Sequence, residues 1–333
     1  MTIWLEDIDC QSAEEFIDNL RLSHPRWKTN SLTSDWIFRG HQDSSWKLIP
    51  SAWRPSIRPD IRRFISSSKE FNNILFGWSD VEHPPMGLSQ GNLAQWRELP
   101  TESKEERIRR FVEQQYFELH LLHDFWSVAN NVGHPIAVPD WLRSPIPWSI
   151  LISPSVGDAK LYFANRLAAT AQHHGIPTRL LDWTLFPLTA AYFAATDPIG
   201  ERIAVWAVHR PSLSYTRLEE FQVPRADLPF LHAQSGLFVW DPLPYIDFAN
   251  NGDWPAQENV IEECFRLPHV SPRIKAMVAY KITLPKSEAK RVVEMLWHER
   301  ISKAHLMPTL DSVSEAVLST FGWRSEQSLF RWP

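Results

Sequence analysis

Cysteine is nearly absent. Cys10 and Cys264 are the only two in 333 residues, too few for a disulfide scaffold, and no Cys-x-x-Cys pair offers a thiolate zinc site. A reducing compartment is the expectation. An excess of positive charge is lacking too: 34 Lys and Arg stand against 39 Asp and Glu, a formal charge of -5. No global basic field therefore exists to drive general nucleic-acid binding. The longest apolar stretches, Leu188 to Ala195 and Ile203 to Val208, fall far short of the ~20 residues that cross a bilayer. Glu6, Asp7 and Asp9 occupy the place where an export signal would be positive. A cytoplasmic protein without membrane contact is expected. With only 11 Gly, no glycine-rich phosphate loop or dinucleotide fingerprint follows any candidate strand. No fixed-period repeat or low-complexity tract is present, which disfavours solenoids and propellers.

What the chain does have is aromatic mass: 17 Trp, 18 Phe and 6 Tyr, set beside 26 Pro. Hydrophobic residues at 44% and charged residues at 22% lie close to the globular average, so a folded protein with a sizeable core is expected. Its aromatics either fill that core and its loops or line a site that stacks on a flat ligand.

The elements read as mixed α and β. SDWIFRG, Ser34 to Gly40, suits a strand with Arg39 at its end, and the Pro-rich Ser51 to Pro59 suits an ordered loop. Ser103 and Glu106 have capping-box spacing ahead of Ile108, Phe111, Val112, Leu119, Leu122 and Trp126, which predicts a long amphipathic helix. Pro135, Pro139, Pro145, Pro147 and Pro154 then forbid a continuous helix, giving a connector packed by Trp141 and Trp148. Asp158 is the expected cap of a helix carrying Leu161, Ala164, Leu167, Ala168 and Ala171, which ends near Gly175. Leu185 to Ala195 reads as a buried helix, Ile203 to Val208 and Tyr280 to Leu284 as strands, and Phe230 to Trp240 as the source of one more. Helices follow at Ala289 to Leu296 and, capped by Asp311, through Phe321. The fold class expected is α+β: a single mixed domain over 1–333 with a central β-sheet core, and a helical, Pro-rich insertion at 60–154.

The densest polar segment is QHHGIPTRLLDWT, Gln172 to Thr184, in which His173, His174, Thr178, Arg179 and Asp182 crowd a Gly-Pro turn. Two readings stand. In one the groups satisfy each other: Arg179 pairs with Asp182, Thr178 caps a helix and the histidines bond backbone. In the other the segment forms one wall of a cleft.

Other constellations carry less. No motif near Cys264 would lower a thiol pKa, and Ser235 before Gly236 makes no Gly-x-Ser-x-Gly elbow. His120, His123 and Asp124 share a helical face with an apolar stripe, and no metal site is expected there. Arg107, Arg109 and Arg110 alternate with Glu105, Glu106 and Glu113, the pattern of a solvated helix face.

Phe38 to Gly40, the SAWRP segment at Ser51 to Pro55, and QHHGIPTRLLDWTLFPLTAAYFA at Gln172 to Ala194 resemble the FRG domain family, named for its Phe-Arg-Gly motif. AQSGLF at Ala233 to Phe238 and PTLDS at Pro308 to Ser312 extend the resemblance over roughly Trp36 to Phe321. The Arg-Gly at a strand end also resembles the first motif of the ADP-ribosyltransferases, in which Arg grips the phosphate or ribose region of NAD. Their second motif has a counterpart in His173 to Thr178. Their final Glu has none here: Glu258, Glu262 and Glu263 sit in no matching motif, and the carboxylate stays unassigned.

The resemblance implies a nucleotide cleft with NAD as substrate, used for ADP-ribosyl transfer or NAD cleavage. Arg39 would bind the diphosphate through its fork of donors, with Gly40, Arg179 and Trp183 as further nucleotide-binding residues. His173, Thr178 and Gln234 would be catalytic, Asp182 would help hold the loop, and Trp183 or Phe238 would stack on nicotinamide. Partners would be the nucleotide and a macromolecular target, and a toxin or phage-defence effector is the compatible biological role. The competing expectation is a non-catalytic module that binds protein or nucleic acid through Trp and Arg anchors.

Overall fold

A computed structural model describes residues 4–28, 34–68, 71, 96–134, 136, 139–143, 146–147, 150–151, 155–224, 228–267 and 278–320. Among them seven strands form one mixed sheet: β1 (Leu5–Asp9), β2 (Trp36–His41), β3 (Leu181–Thr184), β4 (Arg202–His209), β5 (Glu219–Phe221), β6 (Gly236–Trp240) and β7 (Ala279–Pro285). The spatial order is β1-β7-β4-β2-β3-β6-β5. Only the β1–β7 pair is parallel.

The principal helices are α1 (Ala13–Leu20), α2 (Arg58–Ser67), α3 (Thr101–Asn131), α4 (Val156–Phe163), α5 (Arg166–His173), α6 (Pro187–Ala195), α7 (Pro229–Ala233), α8 (Tyr245–Asn251), α9 (Gln257–Arg266), α10 (Ala289–His298), α11 (Lys303–Leu306) and α12 (Leu310–Ser319). The expected α+β class is what the molecule has. No helix among the described residues is long and apolar enough to cross a membrane.

Side chains alternate across each strand, and the two faces of the sheet bury different clusters. On one face Phe38, Ile203, Val205, Ile282 and Leu284 pack under α1, α6 and α10. On the same face, Phe238 and Trp240 of β6 join a second cluster with α3, α4, α5 and α8. The opposite face buries Ile37, Trp183, Trp206 and Leu237 beneath Val260, Ile261 and Phe265 of α9. Segment 60–154 supplies Ile61, Ile108, Phe111, Leu119 and Leu122 to the same cluster as the β6 side chains.

β2 and β4 pair along six residues, Trp36 to His41. β3 and β6 pair along four. Between them β2 and β3 share a single ladder pair, Phe38 with Thr184. The sheet therefore opens at its middle, between the two clusters of one face.

Several element expectations need correction. Ser103 and Glu106 form no capping box: α3 begins at Thr101 behind Pro100, which has no side-chain cap bond. Ser155, not Asp158, caps α4; Asp158 completes the reciprocal box from its N3 position. The helix expected from Asp158 to Gly175 is two helices, because Asn165 caps α5 through Ala168 N. Thr309 rather than Asp311 caps α12, and Phe321 lies outside the described residues. Arg39 sits within β2, not at its end. Phe230 to Trp240 divides into α7 and β6, with Ser235 at a positive φ of 48° turning the chain between them. Of the connector residues, Pro135, Pro145, Trp148 and Pro154 lie outside the described residues.

Candidate functional site

The opening between β2 and β3 is a cavity of about 300 Å³. Its wall includes Phe38, Arg39 and Gly40 from β2, Asp182, Trp183 and Thr184 from β3, and Gln172 and His173 from the end of α5. Ala190 and Phe193 of α6, with Gln234 and Met307, complete it. Arg39, His173 and Gln234, distant in the chain, thus meet at one hollow.

Arg39 bridges the opening. Its Nη1 donates to the Asp182 carbonyl oxygen at 2.6 Å and its Nε to His41 Nε2 at 3.3 Å. The guanidinium holds the two strands together beyond the point where their backbone pairing ends. Burial draws its pKa down to about 10, against the attraction of Asp182, so it stays cationic at neutral pH. Its side chain is 14% exposed, while the Asp182 carboxylate, 3.7 Å away, is 59% exposed. Burial, with the fields of Arg39 and Arg54, pushes His41 down to about 3. His41 is therefore neutral and can present an unprotonated nitrogen to Arg39 Nε.

Gly40 lines the cavity for a packing reason. A methyl group there would overlap the Ala190 carbonyl oxygen and come within 2.8 Å of Ala194 N. The alanines of α6 and the missing side chain of Gly40 let helix and strand approach closely, which places Phe193 at the hollow.

His173 is placed by the end of α5. Gly175 takes the left-handed conformation, φ 88°, its N–H donates to Gln172 O at 3.0 Å, and Ile176 N–H donates to Ala171 O at 3.0 Å. These two bonds make a Schellman termination. The His173 ring stacks on Phe230, centroids 4.6 Å apart. Burial and the neighbouring His174 lower its pKa, opposed by Asp182. Across the hollow, Gln234 Nε2 donates to Leu306 O at 3.2 Å. Thr184 Oγ1 donates to the Gln234 carbonyl at 2.6 Å.

Thr178 and Arg179 are absent from the cavity wall. Arg179, 1% exposed, does not pair with Asp182; its Nε donates to Glu118 Oε2 of α3 at 2.8 Å. Its Nη2 donates to Gln115 Oε1, and its plane lies over Phe163. Glu118 Oε1 accepts from Trp53 Nε1 at 3.1 Å and from Gln114 Nε2 at 2.7 Å. This buried node ties SAWRP, the QHHGIPTR turn and α3 together. The expectation that Arg179 touches nucleotide is thereby corrected: its Nε and Nη2 are directed instead to Glu118 and Gln115, and its side chain is 1% exposed.

Thr178, also buried, caps no helix. Its hydroxyl donates to Gln172 Oε1 and accepts from Leu180 N, while its backbone exchanges bonds with Ser51 and Ala52. It positions the cavity residue Gln172 and does not reach the hollow itself. Trp183 borders the cavity, but its indole is 4% exposed and belongs to the cluster on the opposite face. Phe238 is buried in the helical cluster. Neither ring offers a stacking face; Phe193 of the cavity wall, partly buried, is the aromatic placed to do so.

Gln172, Asp182 and Phe193 are among the wall residues that the sequence reading gave no ligand role. In β3 Leu181 and Trp183 face one cluster and Asp182 the other side, an alternation too short to read from four residues. Glu258 accepts from Leu48 N at 2.9 Å, and Glu262 pairs with Arg266, so neither is part of this wall. The described residues contain no group of three or more His, Cys, Asp or Glu able to hold a metal ion.

No curated protein and no solved structure matches the chain. The FRG domain matches residues 34–202, a stretch that ends before AQSGLF and PTLDS but contains the Phe-Arg-Gly strand, the SAWRP turn and the whole QHHGIPTRLLDWT corner. With half its length and the central wall of the cavity inside that match, the chain belongs to the FRG domain family.

Proposed function

We propose that the protein binds NAD in the cavity between β2 and β3 and breaks the bond between nicotinamide and ribose. The observation that carries this reading is the convergence of Arg39, His173 and Gln234 on one hollow with an aromatic wall. A volume of about 300 Å³ lies at the small end of ligand pockets and suits one nucleoside half of a dinucleotide, the remainder extending outward.

In this reading Arg39 holds the diphosphate and Phe193 stacks on the nicotinamide. His173, kept neutral by burial and oriented by Phe230, contacts the ribose with Gln172. Gln234 faces them with its side-chain oxygen. As the glycosidic bond breaks, the electron pair leaves with nicotinamide and positive charge develops on the ribose carbon. Fixed dipoles of Gln172 and Gln234 stabilise that charge. Water then attacks and gives up a proton to solvent, forming ADP-ribose, or a nucleophile of a macromolecular target attacks and gives up its proton. Thr178 and Arg179 act from behind the wall. Consumption of NAD is the chemistry through which a toxin or phage-defence role would operate.

The test is incubation of the purified protein with NAD, with and without cell extract as acceptor, and chromatographic measurement of nicotinamide. Turnover is expected for the wild type. Arg39→Lys keeps a charge between the strands, yet loses the planar fork, and should weaken NAD binding by about 1.5–3 kcal/mol. No nicotinamide release and no calorimetric binding of NAD would overturn the proposal and leave the interaction module in its place.

A further inference from the structure

A second hollow, of about 420 Å³, lies behind one wall of the cavity. Ala233 and Leu306 line it, and their chain neighbours Gln234 and Met307 line the first cavity. The bond from Gln234 Nε2 to Leu306 O at 3.2 Å ties that shared wall together.

The floor of this hollow is apolar, supplied by Leu22, Phe186, Pro187, Leu188 and Leu306. Leu22 and Phe186 are 44% and 46% exposed. Two guanidiniums, Arg21 and Arg300, also line it, and no carboxylate does. Both stand at one end: Arg21 Nη2 lies 3.1 Å from Oε1 of Glu299, the residue before Arg300. The carboxylates of Asp18 and Glu299 are both spent on Arg21. Arg300 pairs with no carboxylate among the described residues. His305, the remaining titratable group of the wall, is engaged by Ser302 Oγ at 2.9 Å.

The backbone singles out Arg300 as well. α10 ends in a Schellman motif: Ile301 N–H donates to Leu296 O at 2.8 Å, and Arg300 N–H to Trp297 O at 3.1 Å. Arg300 is left-handed there, φ 59°, a conformation that a side chain resists and glycine does not. α5 ends in the same motif with Gly175 at that position. An arginine that strains the backbone yet gains no ion pair within the protein is a group held for something outside it.

We infer that this hollow binds a free amphipathic carboxylate, its acyl or aryl body on the floor of Leu22, Phe186 and Leu306 and its carboxylate on Arg300, with Arg21 alongside. The volume lies within the range of small-molecule pockets. One cationic end beside an apolar floor matches one anionic head on an apolar body, since a guanidinium fork takes a carboxylate bidentately. The inference is independent of the NAD reading.

Equilibrium dialysis of radiolabelled decanoate against the full chain tests it, with decan-1-ol as the neutral comparison. Decanoate should bind at least threefold more tightly than decanol, an advantage that shrinks as salt rises. Arg300→Gln should weaken decanoate at least fivefold and leave decanol within twofold. Leu22→Asn should weaken both ligands at least threefold. Arg300→Gly relieves the left-handed strain, so it should lose decanoate as Arg300→Gln does while melting about 1–3 °C above wild type.

Undetectable decanoate binding, decanol binding as tight as decanoate, or an Arg300→Gln effect below twofold overturns the site. So does an Arg300→Gly protein that melts below wild type, which assigns the arginine to the fold. Decanoate weakened more than twofold by Arg39→Lys moves the ligand to the first cavity, and a dimer in sedimentation equilibrium that Leu22→Asn dissociates gives the hollow to a second copy; either result overturns the proposal. Nicotinamide release enters none of these outcomes, so the site and the NAD chemistry stand or fall separately.

Discussion

Replacing Glu118 by Gln probes the buried node behind the cavity. The change is nearly isosteric, yet it removes the carboxylate that bonds the Arg179 guanidinium. Arg179 is 1% exposed and cannot recover its hydration. Burial already lowers its pKa, with Glu118 the principal opposing influence. An unpaired buried cation of this kind costs about 3–5 kcal/mol. Gln also brings an NH₂ group toward donors from Trp53, Gln114 and Arg179, so one of these contacts becomes donor against donor. At about 2 °C per kcal/mol for a chain of this size, melting should fall by roughly 6–10 °C. Urea denaturation followed by tryptophan fluorescence measures the same loss, and Trp53 lies in the node itself.

The double variant Glu118→Leu with Arg179→Met removes both charges. It should recover the ionic part of the loss, though not the bonds of Trp53 and Gln114, each worth about 1 kcal/mol or more. A Glu118→Gln protein within about 1 kcal/mol of wild type, or a double variant no better than the single one, refutes this account. The fold consequence reaches the site. Thr178, next to Arg179, positions Gln172, so ligand binding in the single variant should weaken even where the protein is still folded.

Gly40→Ala should cost about 1–3 kcal/mol by overpacking, because the added methyl meets the backbone of α6 at Ala190 and Ala194; equal urea midpoints would refute this. The His41 pKa, about 3 in the folded protein, lies below the unfolded value of about 6.5. Its stabilising contribution is therefore present above pH 6.5 and is lost as pH falls from 6.5 toward 3, where the unfolded chain binds the extra proton. His41→Gln, which keeps an acceptor for Arg39 Nε, should flatten the urea midpoint between pH 6.5 and 4, whereas an unchanged slope would assign it to other groups.

Much of the architecture could be read from local pattern. The strand at FRG, the buried run Ile203 to Val208, the alternation of YKITL and the helix after Lys286 all emerge from periods of 2 and 3.6, and each forms within a few residues of its expected place. β1, β3 and the three-residue β5 were not legible. LEDID is an acidic strand that pairs, among the described residues, with β7 alone, and LDWT is too short for a period to register. Helix starts were also misplaced where two polar residues competed for one cap, as Ser155 did with Asp158 and Thr309 with Asp311.

By itself the sequence determined the family, through three motifs specific enough to recognise, and the polar residue types crowded into the Gln172 to Thr184 corner. Tertiary structure alone decided who pairs with whom. Arg179 chose Glu118, 61 residues away, over Asp182, three residues on, and Arg39 reached the Asp182 carbonyl across 143 residues. With 34 basic and 39 acidic side chains, the number of compatible ion pairs is far too large for composition or spacing to select one. Selection comes from burial, which makes an unpaired charge expensive only where the packed core excludes water. The cavity exists for the same kind of reason: it lies where β2 and β3 stop pairing, and strand divergence is a property of the assembled sheet that neither strand encodes alone.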